Sequence, residues 1–200
     1  FGNANSAYNF DGSNQKMIGV TSAYNYLSNR TLSAWVRSFS SAGNDRGIVS
    51  YMGANGQDGY MIYLQHSGKL VAHENNYNFG AGTWEGAISN NSTYGDDNAW
   101  HHIVSLRRND TTFLYIDGVK VNDFTTLTPY FNNPELVVGY TGYGSQYFNG
   151  DIDDIALYDR SLSQVEINAL YNSVSVNTPP SAVNYIWSTG DTTSSIIVSP

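Results

Sequence analysis

The run Asp151-Ile152-Asp153-Asp154 sets three carboxylates within four residues, a density suited to proton transfer or to binding a hard cation. Side chains alternate along an extended chain. Asp151, Asp153, Ile155 and Leu157 are therefore expected on one face of the segment Gly150 to Tyr158, and Ile152, Asp154, Ala156 and Tyr158 on the other. Whichever face turns inward carries a carboxylate, which needs hydrogen-bond donors, an arginine or a cation to offset the cost of burial. Lys and Arg together number only nine, which favours a cation, and calcium is the hard ion that oxygen ligands of this kind select. In the alternative, Asp153 and Asp154 accept hydrogen bonds from backbone amides.

Other chemistry finds less support. His101 and His102 are neighbours on a strand-like segment, so they point to opposite faces and cannot chelate zinc together. Glu74 and Glu85 are isolated, and no Gly-x-Ser-x-Gly turn offers a nucleophile. Aromatic residues are more informative. Tyr60, Tyr63, Tyr77, Phe79, Trp84 and Tyr94 are interleaved with His73, Glu74 and the asparagines at 75, 76 and 78. Aromatic faces can cover the C–H patches of a pyranose while amides and carboxylates take its hydroxyls, so this mixture suits a sugar. The competing assignment is that such aromatics fill the core.

Binding residues gather on loops that a rigid frame holds in place. Four glycine- and asparagine-rich segments qualify as loops: Gly43 to Gly47, Gly53 to Gly59, Asn75 to Asn98, and Gly142 to Tyr147. The last carries two tyrosines on a glycine framework. The candidate ligand-contacting residues are Tyr60, His73, Glu74, Trp84, Tyr94, Tyr143, Gln146 and Tyr147.

The elements that must position these residues are short strands. Runs such as Leu32 to Val36, Ile48 to Met52, Tyr60 to Leu64, His102 to Leu106 and Thr112 to Ile116 are separated by Gly, Asn and Asp, a pattern that predicts a sandwich or barrel. Asp117-Gly118 between Thr112 to Ile116 and Val119 to Val121 predicts a hairpin, because a type I′ turn needs positive φ at both central positions. Ser67-Gly68 predicts a second. Ser163-Gln164-Val165-Glu166 is a capping box that starts one short helix, whose apolar face is expected to hold Val165, Ala169 and Leu170.

Composition bounds the rest. The formal charge is −8 and the basic residues are scattered, so no stripe exists to neutralise a phosphate backbone; nucleic acid is excluded as a partner. The sequence contains no cysteine, which rules out disulfides and thiolate chemistry. No apolar run approaches the length of a membrane span, so membrane insertion is not expected. The sequence divides into a sandwich over residues 1–174, a proline-containing linker over 175–183, and residues 184–200 as the opening of a further module.

Three motifs, Asn98 to Val104, Phe113 to Gly118 and Phe148 to Tyr158, in that order and supported by Asn9 to Gly12 and Arg160 to Ser163, resemble the laminin-G-like jelly-roll family of the concanavalin-like lectin and glucanase superfamily. The likeness covers roughly residues 4 to 172. It implies an all-β, two-sheet antiparallel sandwich, and a structural calcium between the first and last strands at positions matching Asp11, Asp153 and Asp154. The glucanases of the superfamily carry a Glu-x-Asp-x-x-Glu pattern that Asp151 to Asp154 does not reproduce, so no catalytic residue is assigned. The tail from Tyr185 to Thr193 resembles the start of an Ig-like or PKD-like repeat. These readings together give a non-catalytic, calcium-stabilised module that binds a glycan or polysaccharide, within a secreted or cell-surface bacterial protein. A structural domain that docks a protein ligand is the alternative.

Overall fold

The computed structural model describes residues 7–19, 28–40, 43–52, 59–75, 85–95, 97–125 and 135–172. They form strands β1 (Tyr8–Asp11), β2 (Met17–Gly19), β3 (Asn29–Ser38), β4 (Arg46–Met52), β5 (Gly59–Leu64), β6 (Leu70–Asn75), β7 (Glu85–Ile88), β8 (Trp100–Arg108), β9 (Thr111–Ile116), β10 (Val119–Thr125), β11 (Glu135–Val138) and β12 (Asn149–Tyr158). Helix α1 (Gln164–Asn172) follows. Two six-stranded sheets result, one in the order β1-β12-β3-β8-β9-β10 and the other β2-β11-β4-β5-β6-β7, with every pairing antiparallel. The expected sandwich with one short helix is thus observed. The short strands β1 and β7 were not among the apolar runs, because neither is continuously apolar. The proposed linker and the following module lie outside the described residues.

Alternation explains the core. Leu32, Ala34 and Val36 of β3, Ile103 of β8 and Ile152 of β12 face Tyr60, Ile62 and Leu64 of β5 and Ala72 of β6 across the gap between the sheets, and all are buried. Apolar area removed from water at about 25 cal/mol per Å² makes this layer the main source of stability. One ionic cluster is enclosed with it. Arg30 and Arg107, paired across β3 and β8, reach Glu74 of β6 on the opposite sheet; Thr112 donates to Glu74 Oε1 at 2.8 Å, and Tyr60 lies 4.0 Å beneath the Arg30 guanidinium.

The hairpin at Asp117-Gly118 has φ of 52° and 77°, as a type I′ turn requires. The capping box also forms: Glu166 N donates to Ser163 Oγ at 3.3 Å, and Ser163 N donates to Glu166 Oε2 at 2.8 Å. Helix α1 covers the outer face of the first sheet, but with a different stripe from the expected one. Ile167, Leu170 and Tyr171, at i, i+3 and i+4, turn inward, while Val165 is 70% exposed.

Strict alternation in β12 is broken by a bulge between Asp153 and Ala156, where Asp154 adopts φ 47°. Ile152 and Leu157 consequently both enter the core, Ala156 and Tyr158 pack under α1, and Asp154 is exposed. The inward face of β12 therefore carries no carboxylate, contrary to the expectation from alternation. A bulge costs the ladder little and spares the core a charge.

Candidate ligand-binding rim

Positions of the candidate metal ligands follow from register. Asp11 lies opposite Asn149, whereas Asp153 lies four residues further along β12, a separation of roughly 13 Å at strand rise. Asp11 Oδ1 accepts the N–H of Ser13 at 2.8 Å, and Asp153 Oδ1 accepts that of Asp154 at 2.9 Å. Strand β1 does pair with β12, but Asp11, Asp153 and Asp154 do not converge as calcium ligands. No group of three His, Cys, Asp or Glu among the described residues is arranged to hold a metal ion. The buried carboxylate of this strand is Asp151, and its partner is an arginine. Arg37 Nε donates to Asp151 Oδ2 at 2.9 Å, Arg37 Nη2 donates to the same oxygen, and Asn9 donates to Oδ1 at 2.8 Å.

The candidate aromatic and polar residues separate into groups. Tyr60 and Glu74 point between the sheets, each 2% exposed. His73 is buried on the outer face of the second sheet, in an edge contact with Tyr63, whose hydroxyl burial pushes up to about 12. Trp84 lies outside the described residues. Tyr94 sits half-buried on a 3-10 turn, edge-on to His101 at 4.8 Å. Tyr143, Gln146 and Tyr147 come together on one loop.

That loop is built stiffly. Gly139 ends β11 at φ 80°, and a Cβ there would meet the Phe10 ring at 2.4 Å, so only glycine admits the turn. Gly139 N donates to Ile48 O and Phe148 N to Gly139 O, each at 2.9 Å. Between these anchors Tyr140 and Tyr147 form a bridge, with their rings stacked at 4.4 Å and 19°. Thr141 Oγ1 donates to Gln146 Oε1 at 2.7 Å and accepts Tyr143 N–H at 3.2 Å, while the Tyr140 hydroxyl donates to Gly144 O at 3.1 Å. Gly47 N donates to Gln146 O at 3.2 Å, fastening the loop to β4.

A tightly bonded loop presents its remaining groups at low entropic cost. Tyr143 is 54% exposed. Lys16, from the turn between β1 and β2, places Nζ 5.2 Å over the Tyr140 ring. The same turn borders an open concavity of about 500 Å³ lined by Tyr8, Asn14, Gln15 and Lys16, among others. Tyrosine faces, an amide, an ammonium and a shallow hollow thus share one end of the sandwich. Lys16 and Tyr140 escaped sequence reasoning, Lys16 because its partner is far away in the chain and Tyr140 because it reads as the end of a strand.

Asp97 and Asp117 share a histidine. His101 Nδ1 and Nε2 contact Asp117 at 2.8 Å and Asp97 at 2.9 Å, and His102 N donates to Asp117 Oδ1 at 2.9 Å. His102 turns to the opposite side, where its ring joins a cluster with Trp35 (tilted, 5.2 Å) and Tyr171 (stacked, 6.2 Å) and Nε2 lies 2.8 Å from the Ser33 hydroxyl.

A family model described as the concanavalin A-like lectin/glucanases superfamily matches residues 11–168. No functionally curated protein matches the chain. Among solved structures, the binding domain of Paraclostridial Mosquitocidal Protein 1 superposes with TM-score 0.66 at 22% identity, covering 84% of this chain and 42% of that one. The ligand binding domain of botulinum neurotoxin serotype D in complex with N-acetylneuraminic acid gives TM-score 0.68 at 17% identity, with 84% and 42% covered. A heptameric SAP-like pentraxin from Limulus polyphemus gives 0.64 at 13%, with 88% and 86% covered. The chain spans less than half of the toxin binding domains it matches.

Proposed function

Since the chain belongs to the concanavalin A-like lectin/glucanase superfamily, we propose that it is a non-catalytic carbohydrate-binding or adhesion module of a larger secreted or cell-surface protein, and that its glycan meets the rim made by Tyr143, Gln146, Tyr147 and Lys16. The observation that carries this is the pre-formed loop with stacked Tyr140 and Tyr147, bearing exposed Tyr143 beside the Lys16 concavity. Aromatic faces there cover apolar sugar patches, and the Gln146 amide and Lys16 ammonium donate to hydroxyls or a carboxylate. The complex of a similarly folded toxin domain with N-acetylneuraminic acid supports a sugar as ligand class.

A binding role without catalysis is favoured by how the carboxylates are used. Glu74 and Asp151 are engaged by arginines, and Asp97 and Asp117 are bridged by His101, an arrangement unlike an acid and a base facing an open cleft. No shared calcium is assigned to Asp11, Asp153 and Asp154 in this reading, because register sets Asp11 opposite Asn149 and away from Asp153. Glycan-array screening followed by titration calorimetry tests the proposal. Binding weakened at least tenfold by Tyr143→Ala supports it; no binding to any arrayed glycan, or affinity unchanged by that substitution, contradicts it.

A further inference from the structure

The outer face of the first sheet bears a second arrangement, carried by strands rather than by the Tyr143 loop, and it meets the rim's concavity at Asn9. Register aligns Asn9, Asp151, Arg37 and Trp100 side by side on four adjacent strands, β1, β12, β3 and β8. Ala34 and Val36 fill the core, so Trp35 and Arg37 point outward. Tyr171 of α1 stacks on Trp35 at 5.7 Å and on His102 at 6.2 Å, covering the next row and leaving this one beyond the helix. Phe39, just past the end of β3, is 42% exposed.

The groups in this row are fixed and locally neutral. Asp151 is clamped between Asn9 and Arg37, and the Arg37 guanidinium lies 5.3 Å from the Trp100 ring and 5.4 Å from the Phe39 ring. Arg37 uses Nε and Nη2 on Asp151, and its Nη1 makes no hydrogen bond among the described residues. Its side chain is 37% exposed. Two aromatic rings flank a guanidinium that the buried Asp151 carboxylate orients from beneath, and the exposed Asn9 stands in line with them, so the row alternates apolar and hydrogen-bonding groups. A pair that cancels its own charge attracts neither cations nor anions strongly, whereas Nη1 of the partly exposed Arg37 side chain remains a directed donor to a neutral hydroxyl.

We propose that the strip of Asn9, Arg37 and Trp100, with Phe39, is a second glycan site that takes an extended, uncharged polysaccharide chain lying across the sheet, with Asp151 holding Arg37 in place from beneath. It rests on the glycan-binding reading of the module but not on the Tyr143 rim. A row that crosses four strands suits the side of a long chain, while the concave rim suits a chain end or a branch. Two sites on one rigid sandwich would hold a polymer by avidity.

Affinity gel electrophoresis in hydroxyethylcellulose, galactomannan and dextran, with polygalacturonate as an anionic control, tests this on the protein and its Trp100→Ala, Phe39→Ala and Tyr143→Ala variants. Exposed Phe39 can be removed without disturbing the core, and thermal melting verifies that Trp100→Ala remains folded. Retardation in a neutral gel that weakens about tenfold in Trp100→Ala and Phe39→Ala, but persists in Tyr143→Ala, supports the strip. Retardation lost only in Tyr143→Ala overturns the strip and leaves the rim standing. Retardation by polygalacturonate alone also overturns it. A protein that no neutral gel retards, yet that binds arrayed oligosaccharides through Tyr143, removes the strip alone, while failure in both assays removes both sites.

Discussion

Glu74 on one sheet and Arg30 on the other form an ion pair across the interior of the sandwich, with side-chain exposures of 1% and 5%. Thr112 and Arg107 complete the shell around that carboxylate, so the two sheets are tied by charge as well as by apolar contact. Removing one partner strands the others. Glu74→Ala should cost about 3–5 kcal/mol, the usual penalty for an uncompensated buried charge, measured as the shift in urea midpoint. A loss below about 1 kcal/mol would contradict this account of the core.

The Tyr143 loop depends on close backbone approach at Gly47. A Cβ there would lie 2.2 Å from Thr141 N and from the Tyr140 carbonyl carbon. Gly47→Ala should therefore displace the loop and abolish oligosaccharide binding at the Tyr143 rim while most of the sandwich persists. Paired binding and circular-dichroism measurements check this: binding lost with strand content retained is expected.

The two adjacent histidines should give stability opposite pH trends. Burial alone would lower His101, but hydrogen bonds to Asp117 and Asp97 more than offset it and hold the imidazolium above its ordinary 6.5. Its contribution is fully present below about 6.5 and is lost as pH rises through the higher folded value. Burial depresses His102 to about 4. Between about 6.5 and 4 the unfolded chain takes up a proton that the folded chain refuses, a loss of about 3 kcal/mol. Urea midpoints from pH 4 to 9 should decline on both sides, with His101→Gln flattening the alkaline limb and His102→Phe the acid limb.

Asp153 serves its neighbour's backbone, so Asp153→Asn should shift the melting temperature by the same small amount with calcium or with a chelator present. A calcium-dependent difference in that shift would reinstate Asp153 as a ligand.

Much of the frame was legible in the sequence because strand period, turn chemistry and capping are local. Asp117-Gly118 and Ser163 to Glu166 behave as their residue types demand. What stayed hidden is non-local. The scarcity of arginine suggested a cation for the β12 carboxylates, yet Arg37, 114 positions away, supplies the charge. The bulge at Asp154 reversed the facing of the residues after it, and a single left-handed residue leaves no periodic signature. Of the candidate ligand residues, Tyr60 and Glu74 looked like sugar contacts because the composition of a binding loop resembles that of a strand with a buried ion pair. The Gly142 to Tyr147 segment was legible as a loop because glycines punctuate it, and a loop fastened by Thr141 and Gln146 forms there.

Saturation-transfer difference NMR of the protein with the tightest glycan from the array, repeated on Tyr143→Ala and Gln146→Ala, tests the rim most directly. The predicted result is saturation transfer to the sugar from Tyr143 and its loop, abolished by Tyr143→Ala and weakened by Gln146→Ala. Transfer that persists undiminished in both variants would place the ligand elsewhere and contradict the proposal.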